Sequence, residues 1–319
     1  MNKLRIGVLG CASIAKRSVI PAIKSIAEFE LVAIASRTKE KAEDFALEFG
    51  CDAVVGYQEL IDRKDIDVIY MPLPTGLHEE WVVKALEAGK HIHIEKSLAM
   101  NYDSAKRMVE LAREKGLLIM ENFMFIYHQQ HQFVKGLIAQ GEIGEVRCFR
   151  SSFGFPPLDN DNFRYNAALG GGALLDAAAY TVRVSQLFLG NDIKVEAATL
   201  NTMNTEVDLF GGAYLKAPDG MFAEVAFGFD NFYQCNYEIW GSKGKIIVHR
   251  AFTPGIAFKP KITLEQQGDN INYEIGAENH FVNILNEFKR CVIENDFESK
   301  YEEILNQSRL LQELKDKAQ

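Results

Sequence analysis

Through the first third of the chain, short apolar runs alternate with segments whose apolar positions recur every three or four residues. Leu4-Arg5-Ile6-Gly7-Val8-Leu9-Gly10 is an apolar run ending in glycine, and Ile14, Val19, Ile20, Ile23 and Ile26 then recur at helical spacing. Residues 31–36 predict a second strand, and a charged helix follows over 38–49 with Thr38 placed to cap it. Further strands are predicted at 68–71, 91–95 and 117–121, each separated from the next by a helical pattern. Such alternation predicts an α/β domain with a parallel, doubly wound sheet and right-handed crossovers.

Beyond residue 123 the pattern changes. A helix is predicted over 129–140, and residues 145–153 alternate as a strand with one polar face. Short strands follow at 195–201, 206–216, 221–229, 235–240 and 245–249, punctuated by Pro218-Asp219-Gly220 and Gly241-Ser242-Lys243-Gly244. Amphipathic helices over 278–294 and 301–317 close the chain. The expected organisation is a Rossmann-type domain over 1–123 and an α+β domain over 124–319 built on a large, open, mainly antiparallel sheet.

Composition agrees with two ordinary cores: 319 residues, 47% of them hydrophobic. The net charge is -9, and lysines and arginines are scattered. No basic face is offered to phosphate backbones, so nucleic acid and anionic membrane are excluded as expected partners. Met1-Asn2-Lys3-Leu4-Arg5 runs straight into a strand broken by glycine, too short for a signal peptide or a membrane span, and a cytoplasmic location is expected. Cys11, Cys51, Cys148, Cys235 and Cys291 are widely spaced, without Cys-x-x-Cys, which predicts free thiols and no metal site.

Gly10-Cys11-Ala12-Ser13-Ile14-Ala15 sits where a phosphate-binding turn belongs and matches Gly-x-Gly-x-x-Gly/Ala except at Ala12. At the end of the second strand, Ser36-Arg37-Thr38 stands where an acidic side chain would bind the ribose hydroxyl of NAD. Arg37 suits a 2′-phosphate, Lys41 adds charge one turn later, and NADP(H) is the expected cofactor. Pro72-Leu73-Pro74 forms a rigid turn fit to lie against adenine or nicotinamide, with His78 close behind it. The strand over 91–95 ends at Glu95-Lys96, which points a lysine at the ligand edge of such a sheet.

In the second domain, Gly170-Gly171-Gly172 opens a helix on which Asp176 and Tyr180 are four apart, hence on one helical face. A tyrosine pKa of about 10 is too high for an unaided base, and a neighbouring ammonium such as Lys96 favours the phenolate. His128 and His131 are spaced for one helical face, but no cysteine or acid lies near them in sequence, so substrate contact or helix capping is expected rather than metal.

Together these landmarks resemble the glucose-fructose oxidoreductase and inositol dehydrogenase (Gfo/Idh/MocA) family. The family's Glu-Lys-Pro appears as Glu95-Lys96-Ser97, and Asp176 with Tyr180 matches its tyrosine-bearing branch. Within that branch the chain resembles the dihydrodiol dehydrogenases over the glycine-rich helix. It is similar to nucleotide-diphosphate-sugar 3-ketoreductases over Gly10-Cys11-Ala12, over Glu121-Asn122-Phe123-Met124-Phe125 with His128 and His131, and over Arg164-Tyr165.

The resemblance implies hydride transfer between NADP(H) and the carbonyl or hydroxyl of a sugar, at C-3 of a nucleotide-linked keto-deoxysugar. It implies Lys96 and Tyr180 as catalytic residues, Glu95 and Asn122 beside the cofactor, and Asp176 on a sugar hydroxyl. Arg164 is assigned to the diphosphate or a sugar oxygen, with His128 and His131 also at the substrate. A homodimer or homotetramer is expected through the second sheet. A free sugar, cyclitol or trans-dihydrodiol as substrate, a non-exchanging cofactor, and a silent NADP-binding regulator are the alternatives.

Overall fold

The computed structural model describes residues 3–318, so Met1 and Asn2, where the signal-peptide reading begins, lie outside the described residues. The chain divides into two compact units. The first is built on strands β1 (Leu4–Leu9), β2 (Phe29–Ser36), β3 (Asp52–Val55), β4 (Val68–Met71), β5 (His91–Ile94) and β6 (Ile119–Glu121). Between them run helices α1 (Ile20–Ser25), α2 (Lys39–Phe49), α3 (Tyr57–Ile61), α4 (His78–Glu87) and α5 (Tyr102–Lys115).

All pairs in this sheet are parallel and the order is β3-β2-β1-β4-β5-β6, so the strand order reverses beside β1 and β4. Covered on both faces, β4 is buried at every position, which is why it reads as an unbroken apolar run. β3 was not among the expected strands. It is a four-residue edge strand, largely exposed, and carries no apolar period to find.

The second unit opens with α6 (Gln129–Ala139) and β7 (Val146–Phe155). A π-helical turn over Leu174–Ala178 runs into α7 (Ala179–Leu189). Then come β8 (Lys194–Asn201), β9 (Phe210–Lys216), β10 (Phe222–Phe229), β11 (Gln234–Gly241), β12 (Gly244–Val248), β13 (Lys261–Gln266) and β14 (Asp269–Glu274). They form one eight-stranded sheet, ordered β14-β13-β12-β11-β7-β10-β9-β8, in which only β10 and β7 pair in parallel.

Residues 206–209, expected as strand, lie ahead of β9 because Asp208 caps a helix instead. β13 and β14 extend the sheet beyond the expected strands; Ile262 and Leu264 alternate inward along β13 and bury fully. The outward face carries a ladder of alternating charge. Glu224, Arg150, Glu238, Lys245 and Glu265 link neighbouring strands through contacts of 2.6, 3.3, 3.5 and 2.9 Å.

α8 (His280–Glu294) and α9 (Glu298–Lys317) correct the expected domain boundary. Residues Phe281–Ser308 pack with the first unit, and the chain rejoins the second from Arg309. Phe288 lies with its ring 5.5 Å from that of His93, and the Tyr301 hydroxyl donates to the Leu117 carbonyl at 2.6 Å. Amphipathicity showed that these helices bury one face, but not against which sheet. No helix among the described residues is long and apolar enough to cross a membrane.

Because Phe288 is 1% exposed, Phe288→Ala is expected to cost about 3–5 kcal/mol, read as a lower urea midpoint. An unchanged midpoint would show that α8 is not part of that core.

Candidate active site

Every strand of the first sheet ends at one edge, and the turns there carry the expected cofactor residues. Gly10 follows β1 with φ of 123°, and its N-H donates to the Ala35 carbonyl at 3.0 Å. A Cβ at this position would meet only the tip of the Leu73 side chain, so it is the positive φ that calls for glycine. Cys11, Ala12 and Ile14 are half-buried, and Ser13 is exposed. The helix that follows begins at Ser13, with the Lys16 amide donating to the Ala12 carbonyl at 3.1 Å, and passes into a π-helical turn over Ala15–Val19. The first amides of a helix are donors that an anion accepts from, so this turn fits a dinucleotide pyrophosphate.

At the end of β2, Ser36 is buried and its Oγ accepts from the Thr38 amide at 3.3 Å, while Arg37 and Lys41 are exposed. Thr38 occupies the N-cap position of α2, but its side chain makes no capping bond, contrary to expectation. The Cys11 thiol lies 3.6 Å from the Lys41 carbonyl, which draws the two turns together.

After β4, Pro72 and Leu73 are buried and Pro74 is half-buried. His78 is fully buried, with Nε2 2.8 Å from the Leu73 carbonyl and Nδ1 3.0 and 3.1 Å from those of Ser97 and Leu98. Burial holds its pKa below the ordinary value against the pull of these carbonyls. The expected ligand contact is therefore corrected: the imidazole stands behind two ligand-edge loops and ties them together.

Glu95 follows β5. One of its carboxylate oxygens accepts from the Tyr70 hydroxyl at 2.7 Å and from Asn122 Nδ2 at 2.6 Å. Burial first, then the charge of Glu95, keeps the Tyr70 hydroxyl well above its ordinary pKa, so it remains a donor. Lys96 is half-buried, and the Lys96–Ser97 peptide is cis. The turn is secured by Glu121 Oε1, which accepts from the Leu98 amide at 2.7 Å. Tyr70 and Glu121 were not singled out from sequence. For Tyr70 a signal existed, since a hydroxyl in a wholly apolar strand needs a buried partner.

In the second unit, Arg164 Nε donates to Asp176 Oδ2 at 2.5 Å, pairing two expected substrate residues with each other. The glycines make the pair possible. Gly172 N-H donates to the Arg164 carbonyl at 2.9 Å, and a Cβ at Gly171 would collide with that same carbonyl. Asp208 Oδ2 accepts from the Leu174 amide at 2.6 Å, and burial pushes its pKa up against that bond. Gly172, at φ of 109°, has no room for a side chain beside Asp208.

Residues Leu174–Ala178, Asp176 among them, wind as a π-helix that runs into α7, which carries Tyr180. Tyr180 is 8% exposed, with its ring 4.8 Å from Phe153, 5.6 Å from Phe125 and 5.7 Å from Phe252.

His128 and His131 are each 1% exposed. His128 Nδ1 caps α6 by accepting from the Gln130 amide at 3.2 Å, and His131 Nδ1 meets the Tyr237 hydroxyl at 3.0 Å. Of the two roles expected, His128 takes helix capping, while His131 pairs with Tyr237 in the core. Among the described residues, no group of three or more His, Cys, Asp or Glu side chains is arranged to hold a metal ion.

Residues 4–123 match the model of the oxidoreductase family with an NAD-binding Rossmann fold, GFO_IDH_MocA, and residues 131–247 match the GFO/IDH/MocA C-terminal domain. The chain belongs to the Gfo/Idh/MocA oxidoreductase family. A dTDP-3,4-didehydro-2,6-dideoxy-alpha-D-glucose 3-reductase of Saccharopolyspora spinosa is 45% identical over 91% of this chain and 87% of its own. One from Actinomadura kijaniata is 40% identical over 95% and 91%. The structure of KijD10, a 3-ketoreductase from Actinomadura kijaniata in complex with NADP and TDP-benzene, superposes with a TM-score of 0.96 at 39% identity, covering 99% of this chain and 98% of that one. KijD10 is also solved with a tyrosine replaced by phenylalanine and with a lysine replaced by alanine.

Burial holds the pKa of His93, His131 and His280 at about 3, so the folded protein keeps these three neutral. The unfolded chain protonates each near pH 6.5, so stability is full above about that pH and falls as pH drops toward 3, by about 1.4 kcal/mol per unit per histidine. Urea midpoints at about pH 7 and 5 should show the loss, and His131→Asn should lessen it. Equal midpoints would contradict neutral burial.

Proposed function

We propose that this protein reduces the 3-keto group of a nucleoside-diphosphate-linked 2,6-dideoxy sugar, with NADPH as reductant. One observation carries the reading. The lysine and tyrosine substituted in KijD10 lie as far apart in its chain as Lys96 and Tyr180 do here, and that protein is solved with NADP and TDP-benzene.

NADPH, when bound, supplies the hydride. The turn at Gly10 with the amides behind it holds the pyrophosphate, and the exposed Arg37 and Lys41 meet the 2′-phosphate. The Tyr180 phenol gives its proton to the oxygen that becomes the new hydroxyl, and the Lys96 ammonium stabilises the negative charge developing on that oxygen. Glu95, clamped by Tyr70 and Asn122, positions Lys96. Asp176, oriented by Arg164, accepts from a sugar hydroxyl.

Tyr180→Phe and Lys96→Ala are each expected to lower kcat by about 10²–10⁴-fold, with NADPH affinity nearly unchanged. Wild-type turnover in both would remove the assignment. Arg37→Ala should weaken NADPH by about 10-fold or more while leaving NADH binding alone. Tighter NADH than NADPH binding in the unaltered protein would overturn the cofactor preference.

A further inference from the structure

Two guanidinium groups lie beyond the Phe155 and Phe229 ends of β7 and β10. The first is that of Arg164, whose neighbour Tyr165 has its ring 5.5 Å from that of Phe229 and whose charge is met by Asp176. The second is that of Arg250. Asn231 N-H donates to the Phe155 carbonyl at 3.0 Å, and Tyr233, two residues on, receives a hydrogen bond from Arg250 Nη1 at its hydroxyl.

The backbone that carries Arg250 is fixed. Gln130 Nε2 donates to the carbonyls of Arg250 and Ala251 at 3.3 and 3.1 Å, and the Ala251 amide donates to the Cys235 carbonyl at 2.7 Å. Phe252, the residue after Ala251, packs its ring against Tyr180. The guanidinium itself lies over two aromatic rings, with centroids 4.8 Å away for Tyr233 and 5.3 Å for Phe258. Thr253 Oγ1 stands 3.0 Å from the Tyr233 hydroxyl and completes the bracket.

Arg147, Arg150, Arg164 and Arg309 of the same unit each meet a carboxylate. Among the described residues Arg250 meets none, and its hydrogen-bond partner is a single phenol. A guanidinium has five N-H donors in a fixed fork, which matches phosphate oxygens. This one is half-buried, lies over two aromatic rings and is anchored on the segment that packs against Tyr180. Its remaining donors and its charge suit an anion brought in with the substrate.

We infer that Arg250, bracketed by Tyr233 and Phe258, binds the diphosphate of the nucleotide-linked substrate. This rests on the function proposed above and transfers to Arg250 the role that sequence resemblance assigned to Arg164. Arg164 is occupied by Asp176 and orients it.

Calorimetric titration of the NADP-loaded full chain with TDP and with thymidine tests the inference. Arg250→Ala should weaken TDP by about 10- to 100-fold, with thymidine and NADP affinities changed less than about twofold. Arg250→Gln, which retains bulk over the rings, should show the same selective loss and stands in if the alanine variant fails to fold. TDP binding unchanged in the variants, an equal loss of thymidine, or a loss of NADP instead would overturn the inference while leaving the function standing. Failure of the unaltered protein to bind TDP would overturn both.

Discussion

A parallel strand is followed by another only after the chain has travelled back along the sheet, so all six strands of the first unit finish at the same edge. That constraint brings together the turns at Gly10, Ser36, Pro72, Glu95 and Asn122, which are far apart in sequence. The register is tight enough to align side chains as well: Met71 sits opposite Ile94, and Ile94 opposite Glu121. Tyr70 and Asn122, from the strands on either side of β5, therefore reach the same carboxylate oxygen of Glu95.

The segments that carry the groups with chemical work are held by polar groups that folding has wholly or partly taken out of water. Tyr70 on Glu95, His78 between two loops, and Asp208 on the Leu174 amide are buried or largely buried contacts. Losing one partner strands the other at a cost of about 1–3 kcal/mol, more where a charge is involved. Local geometry and global stability are thus coupled at these positions. The surface ladder from Glu224 to Glu265 contrasts with them, because its members keep access to water and contribute little to stability.

Much of the first unit was legible because its signals are local. Gly10 ends an apolar run and opens a helical period within a few residues, and Glu95-Lys96 closes a strand whose apolar residues are adjacent in sequence. The edge strand β3 was not legible, since it is mostly exposed and has nothing to repeat. For α8 and α9 the helices were legible but their partner was not. An apolar stripe records that a face is buried, and any apolar sheet satisfies it. Which of the two expected roles His128 takes was not legible for a related reason: a histidine looks the same in sequence whether it faces a ligand or caps a buried helix.

The sequence by itself determined the alternation of strand and helix, the glycine turn, the lysine at the strand end and the tyrosine after the glycines, because backbone conformation and apolar period are set by neighbouring residues. Only the tertiary structure decided who meets whom. It gave Asp176 to Arg164, His131 to Tyr237, Phe288 to His93, and left Arg250 over two rings with no carboxylate partner among the described residues. Such pairings join residues from 8 to 195 positions apart, and the force that selects them is the need to satisfy charge and fill space after the chain has folded back on itself.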